Sequence, residues 1–397
     1  MRSDVSLLQN DVVRVCYFGT YTMEEGYPRN RVIIEGLRRN GVEVTECHED
    51  FWKDTSEKLE GVKAGYIKTT LRLPRVYLSL IKKFMKIGPY DAMIVGYAGH
   101  IDIFLAKFLN ILRHRPIIFD AFLSLYDTAV IDRKIVQAGS LKAKLLRMID
   151  TWSCRMADAV MLDTQAHINY FVREFKLPSE KFHAVPVGSA LTGSYSNKTS
   201  AGTGGKSIKE KDQLEVLYFG SYIPLHGVDV IIRAAKILQD EKDIIFTMIG
   251  KGQLLPEMKR LASDIGLKNI NFIERFVEEA ELVRYIQKSD ICLGIFGQTD
   301  KALRVIPCKV YNCLDIGKPL ITARNEATEG VLSHKDNAIL CRPGDADDLA
   351  KAILILKNDA VLRDKIARNG REYFVNNFSS EAIGKKVLEI LQRGNLT

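Results

Sequence analysis

Long apolar runs are missing: no stretch of the 397 residues approaches the ~20 uncharged apolar residues that a bilayer-spanning helix needs. The opening MRSDVSLLQNDVV lacks the apolar core of a secretory signal. The expectation is a protein neither exported by a signal peptide nor threaded through a membrane. Cysteine is sparse and unpatterned. The seven, Cys16, Cys47, Cys154, Cys292, Cys308, Cys313 and Cys341, are odd in number and include no CxxC pair. Neither a disulfide framework nor a zinc cluster is expected, and a reducing cytoplasm fits. The basic excess, 57 Lys and Arg against 49 Asp and Glu for a net +8, is too small to point to nucleic acid, but it suits anionic partners such as phosphates or lipid headgroups. No self-similarity at a 20–50-residue period marks a repeat array.

What is present is core-forming material, 46% hydrophobic and 27% charged. The length suggests about two to three domains. VVRVCYFGT is a β-branched and aromatic run ending near Gly19 and Thr20, followed by the helical pattern NRVIIEGLRRNG and a second strand, GVEVTECH. The order returns with DAMIVGYAGH, DIFLAKFLNILR and PIIFDAF, whose almost unbroken apolar strands fit a parallel sheet covered on both faces. Residues 191–213, rich in Gly, Ser, Thr and Lys, read as a flexible linker or loop. Beyond them strands and helices alternate again from LEVLYFGSY to DICLGIF. Pro307 can open a helix over PCKVYNCLDI and Gly317 can close it. The fold class expected is α/β, with two Rossmann-like doubly wound domains facing across a cleft: residues 1–190, residues 214–373, and a C-terminal helix in 374–397 returning to the first domain.

The segments YFGSYIPLHGVDVIIRAAKIL, FTMIGKGQLLPEMKRL and FGQTDKALRVIPCKVYNCLDIGKPLIT occur in fixed order and are followed by ATEGVLSHKDNAILCRPGDADDLAKAI. In these the sequence resembles the retaining family 4 glycosyltransferases of the GT-B fold, the glycosyl transferases group 1. In the N-terminal half the resemblance rests on GYAGH and IIFDAF. It implies an acceptor-side N-terminal domain, with Gly19 and Thr20 in an acceptor-side loop, and a nucleotide-sugar-binding C-terminal domain.

The chemistry can be argued beside the resemblance. A nucleotide diphosphate leaving group gains charge as its bond to the sugar breaks, and helix N-terminal N–H groups with nearby cations can stabilise it without a metal. Two loops offer this: Gly220 and Ser221, opening onto a helix and carrying His226, and Arg304 to Pro307, opening onto the helix of Lys309. The family brackets the second loop with two glutamates eight positions apart; this chain has Arg304 and Asn312 there. An Asn carbonyl can still accept from a ribose hydroxyl. Arg304 reverses the charge and could clamp a phosphate, bind a uronic acid carboxylate, or make a structural salt bridge. The resemblance places Gly250 near the nucleotide and Arg275 and Phe276 near the base, although GKG alone is a weak signal. His100 and Asp120 end successive strands, where ligands of open α/β sheets bind, and are the catalytic-side candidates.

Asp345, Asp347 and Asp348 read as a helix cap rather than a metal site. Residues 61–90 carry Lys63, Lys68, Arg72, Arg75, Lys82, Lys83 and Lys86 with no acid, which suits an anionic membrane surface as well as a plain basic surface helix. The expected activity is metal-independent transfer of a sugar from a nucleotide sugar to a glycan or lipid-linked hydroxyl acceptor with retention, in the cytoplasm or peripheral on the membrane's inner face, with no separate cofactor. Cell-envelope polysaccharide assembly would be the setting. A nucleotide-sugar epimerase or hydrolase, and a non-enzymatic nucleotide-sugar-binding partner, are the alternatives.

Overall fold

In the computed structural model, which describes residues 12–23, 26–50, 67–191 and 213–393, the apolar runs become the strands of two sheets. The first comprises β1 (Arg14–Gly19), β2 (Glu43–His48), β3 (Ala92–Val95), β4 (Ile117–Phe122), β5 (Ala159–Leu162) and β6 (Phe182–Ala184). Its order is β2-β1-β3-β4-β5-β6, parallel throughout. The helices between them are α1 (Arg29–Arg39), α2 (Ile67–Phe84), α3 (Asp102–Asn110), α4 (Leu141–Met156) and α5 (Gln165–Phe175), with a π-helical turn at Asp127–Asp132. Strands β3 and β5 are buried along their whole length, as their unbroken AMIV and AVML runs require.

The second sheet contains β7 (Leu214–Phe219), β8 (Ile244–Ile249), β9 (Ile270–Ile273), β10 (Ile291–Leu293), β11 (Leu320–Ala323) and β12 (Ile339–Cys341). Its order is β12-β11-β10-β7-β8-β9, again parallel. The winding reverses between β7 and β10, so the crevice beyond their carboxyl ends is where an open α/β sheet receives ligands. The connecting helices are α6 (Val228–Ile237), α7 (Leu255–Asp264), α8 (Glu279–Lys288), α9 (Cys308–Ile316), α10 (Glu326–Glu329) and α11 (Ala346–Asn358). Pro307 is the N-cap of α9, and Gly317 closes it at φ 74°, the left-handed conformation that glycine adopts without a Cβ penalty. Asp345 caps α11, its carboxylate accepting from the Asp348 N–H at 2.8 Å.

After α12 (Ala360–Phe378) the chain turns at Ser379 into α13 (Ser380–Arg393), which leaves the second domain and packs along α1 of the first. The crossing is tight because both helices present glycine: a Cβ on Gly36 or Gly384 would collide with the other's backbone. Ile383, Val387 and Ile390 of α13 join Val32, Ile33 and Leu37 of α1 in one buried cluster. Nearly all of the 191–213 segment read as a linker lies outside the described residues, as do residues 61–66 of the basic stretch.

Candidate functional site

Between the two sheets lies a cleft of ≈ 720 Å³, walled by Gly220, Ser221, His226, Gly250, Lys309 and Asn312 from the second domain and by Tyr27, Tyr97, Phe122, Asp163 and His167 from the first. Strand β7 delivers Gly220 at φ 136°. A side chain there would be strained, and its Cβ would stand 2.9 Å from Lys309 Nζ. A Cβ on Gly250, at the end of the neighbouring β8, would run into the Gly220 carbonyl, so the two strand ends can approach only as glycines.

Lys309 sits in the first turn of α9, buried, with Nζ 3.9 Å from the centre of the Tyr218 ring and 3.4 Å from His226 Nδ1. No carboxylate pairs with it among the described residues. Burial holds its pKa well below the ordinary ammonium value. His226 Nδ1 lies against the Ser221 carbonyl and 2.9 Å from the Tyr218 hydroxyl. Burial first, then repulsion from Lys309, holds the imidazole well below its usual pKa. Two basic groups thus stand together without an anion, beside the N-terminus of α9 and the backbone of a glycine strand end. Chemically, such an arrangement can accept an anion.

Asn312, one turn further along α9, also faces the cleft, as does Gly250. The first domain adds an Asp–His pair that the sequence reading passed over. The Asp163 carboxylate is 2.7 Å from His167 Nδ1, both are buried, and His167 Nε2 has no partner among the described residues. Their spacing of four on and before a helix was visible in LDTQAH.

Five expected contacts are placed elsewhere. Asp120, expected in the cleft, is fully buried in an ion pair with Arg29 at 2.7 Å; Arg29 also donates to the Val185 carbonyl. Burial raises the Asp120 pKa while the guanidinium opposes the rise, and no oxygen is left for a substrate. His100 is buried as well: its Nε2 donates to the Leu123 carbonyl at 3.0 Å, and Leu123, not His100, lines the cleft. Its Nδ1 is buried without a partner, and burial lowers its pKa. Arg304 does not reach into the cleft. It crosses to the other domain, donating to Asp127 at 2.9 Å and stacking 3.9 Å over Tyr170, while its carbonyl accepts from Thr164 Oγ1. The salt-bridge alternative for Arg304 is the one realised. Arg275 forms an exposed fork with Glu281, and its neighbour Phe276 lines the cleft instead. At Gly19 and Thr20 the space is filled from within: Asp102 accepts from the Thr20 N–H at 2.6 Å and its hydroxyl at 2.9 Å, and from the Tyr77 hydroxyl at 2.8 Å.

Further bonds cross the same seam. Arg31 forks onto Glu279 at 2.8 and 3.0 Å, Lys301 donates to Thr128 at 2.6 Å, and Ser189 donates to Asp315 at 2.9 Å. No group of His, Cys, Asp and Glu able to hold a metal ion occurs among the described residues, and none of their helices is long and apolar enough to cross a membrane.

Two parallel-sheet α/β domains facing across one cleft define the architectural class. Residues 205–373, which contain Gly220, His226 and Lys309, match the family Glycosyl transferases group 1. Among curated proteins, the lipopolysaccharide core biosynthesis glycosyltransferase LpsD of Rhizobium meliloti is 24% identical over 188 residues, 46% of this chain and 50% of that protein. The amylovoran biosynthesis glycosyltransferase AmsK of Erwinia amylovora is 24% identical over 182 residues, 45% of each chain. The chain thus spans about half the length of these two relatives. Over the whole fold it is similar to Anabaena Alr3699/HepE, solved in complex with UDP and glucose, with a TM-score of 0.64 at 13% identity, covering 96% of this chain and 100% of that one. That likeness establishes the GT-B architecture.

Proposed function

We propose that the protein is a glycosyltransferase that moves a sugar from a nucleotide diphosphate donor to a hydroxyl of a glycan or lipid-linked acceptor, with retention of configuration and without a metal. The observation that carries this reading is the buried pair Lys309 and His226, which has no anion of its own beside the Gly220 strand end. The donor diphosphate would occupy that place, Asn312 would face the ribose, and Phe276 would border the base. The C1–O bond to phosphate breaks with its electron pair leaving on the diphosphate, and Lys309 and the α9 N–H groups stabilise the charge that develops there. The acceptor oxygen bonds C1 on the same face, and its proton passes to the departing phosphate oxygen. Asp163 and His167, across the cleft, would hold acceptor hydroxyls, and domain closure along the Arg304–Asp127 and Arg31–Glu279 seam would exclude water.

The relatives named for lipopolysaccharide core and amylovoran biosynthesis support a role in cell-envelope polysaccharide assembly. The complex of HepE with UDP and glucose makes UDP the first nucleotide to try. The test is product analysis with UDP, GDP and ADP sugars, each with and without EDTA. Acceptor-dependent release of nucleotide diphosphate, unaffected by EDTA and giving a product of the donor's anomeric configuration, is the expected result. Epimerised or hydrolysed sugar without acceptor dependence would replace this reading with the epimerase or hydrolase, and binding without turnover by the non-enzymatic partner.

A further inference from the structure

Helices α3 and α4 wear their apolar stripes outward. On α3 and the turn after it, Phe104, Phe108 and Leu112 recur at helical spacing and are exposed, Leu112 to 91%. On α4, Leu141, Leu145, Met148 and Trp152 form a second exposed stripe, with Leu141 at 83%. A surface helix ordinarily turns such a stripe to the core. The two helices pack side by side, and the surface continues to the end of α2: Arg113 lies 4.8 Å from the centre of the Phe84 ring and donates to the Ile87 and Gly88 carbonyls, next to the exposed Met85.

The charge around these stripes is predominantly positive. The only acid in α3 is Asp102 and the only acid in α4 is Asp150, and both are buried. Residues 67–90 contain none. At the edges Asp158 lies 3.9 Å from Lys107 and Glu174 lies 3.1 Å from Arg147. Lys82, Lys86, Lys142, Lys144 and Arg155 form no salt bridge with an acidic residue among the described residues. A second copy of this face would bring like charges together, whereas an anionic bilayer would take the apolar stripes into its acyl boundary and the cations among its headgroups.

We propose that α3, α4 and the end of α2 form a docking surface for a membrane rich in anionic lipid. The surface adjoins the cleft. Leu146, between the outward Leu145 and Met148, lines the cleft wall, as does Ala129, two residues before the exposed Ile131. An acceptor anchored in that membrane would reach the donor site along α4 without leaving the lipid surface. This last step rests on the transferase reading; the docking surface itself does not.

The test is co-sedimentation of the full chain with phosphatidylcholine vesicles with and without about a quarter phosphatidylglycerol, no nucleotide being added. The wild type is expected to partition onto the anionic vesicles and be released by salt. Leu112→Glu combined with Met148→Glu should weaken partitioning by roughly tenfold or more with an unchanged melting temperature. Lys142→Glu with Lys144→Glu should weaken it on anionic vesicles, since each lost cation also becomes a repelling charge. Absence of the wild type from the vesicle pellet, or equal partitioning of the Leu112/Met148 variant, would overturn the proposal. So would a concentration-dependent dimer, abolished by that variant, in place of vesicle binding. Nucleotide affinity measured without vesicles separates the two readings. Vesicle binding without affinity for any nucleotide would sink the transferase and leave the docking surface standing.

Discussion

The first strand of each domain ends in a glycine with a positive φ, Gly19 at 129° and Gly220 at 136°, and the two ends have opposite surroundings. Beside Gly19 stands a carboxylate of the protein's own: Asp102 accepts the Thr20 N–H, the Thr20 hydroxyl and the Tyr77 hydroxyl. Beside Gly220 stand Lys309 and His226, with no carboxylate paired to them among the described residues. The same scaffold has therefore made one strand end whose charge is met from within and one beside which two basic groups have no carboxylate among the described residues. Two strands away from Gly19 the rule holds again, since Asp120 is neutralised by Arg29. A strand end marks where a ligand can bind, and basic groups without an internal carboxylate partner mark which end to test first.

The largest expected effect breaks the closed site. Asp102→Ala removes three hydrogen bonds to a charged acceptor, and should destabilise the protein by about 3 kcal/mol or more in urea unfolding. The affinity of the folded variant for nucleotide should be unchanged.

Next comes the open site. Lys309→Met should reduce affinity for a nucleotide diphosphate by roughly ten- to a hundredfold, the ~1.5–3 kcal/mol of a charge-assisted hydrogen bond, in a calorimetric titration. It should not lower the stability of the free protein, because it removes a buried amine that has no carboxylate partner among the described residues.

Gly220→Ala should act on both counts. It places a methyl against Lys309 Nζ at a φ of 136°, and about 1–3 kcal/mol of strain should show as a lowered melting temperature together with weaker nucleotide binding.

A subtler effect concerns protons. Lys309 and His226 have pKa values well below normal in the free protein, so each binds fewer protons folded than unfolded. Their contribution makes the free protein more stable as pH rises through each depressed value toward the ordinary one, and less stable as pH falls back. A bound dianion reverses the bias by raising both values. Nucleotide binding should therefore take up protons, and affinity should decline as pH rises above the depressed pKa of Lys309. Titrations in buffers of different ionisation enthalpy would reveal the uptake.

The smallest effect sharpens the contrast by its absence. Arg275→Ala breaks an exposed fork with Glu281 and should leave nucleotide affinity unchanged.

The fold was legible because it is written locally. Buried parallel strands read as unbroken runs such as AMIV and ILC, and Pro307 and Gly317 frame α9 as the sequence suggested. The placing of Gly220 and Lys309 beside the cleft was legible for the same reason: a glycine at a strand end and a lysine in a helix's first turn are short-range signals. The closed half was not. The partner of Asp120 lies 91 residues away in Arg29, and that of Arg304 lies 177 residues away in Asp127. Nothing near Asp120 or Arg304 in the chain announces that its charge is already spoken for. The outward stripes of α3 and α4 were hidden in another way, since periodicity reports that a stripe exists and not which way it faces.

The most direct test is isothermal titration of the wild type and Lys309→Met with UDP, followed by GDP and ADP. If the buried Lys309–His226 pair is the donor diphosphate site, one nucleotide diphosphate binds the wild type with proton uptake, and the variant binds it at least roughly tenfold more weakly while melting no earlier. Equal affinity in the two folded proteins, or no binding of any nucleotide diphosphate to the wild type, would contradict it.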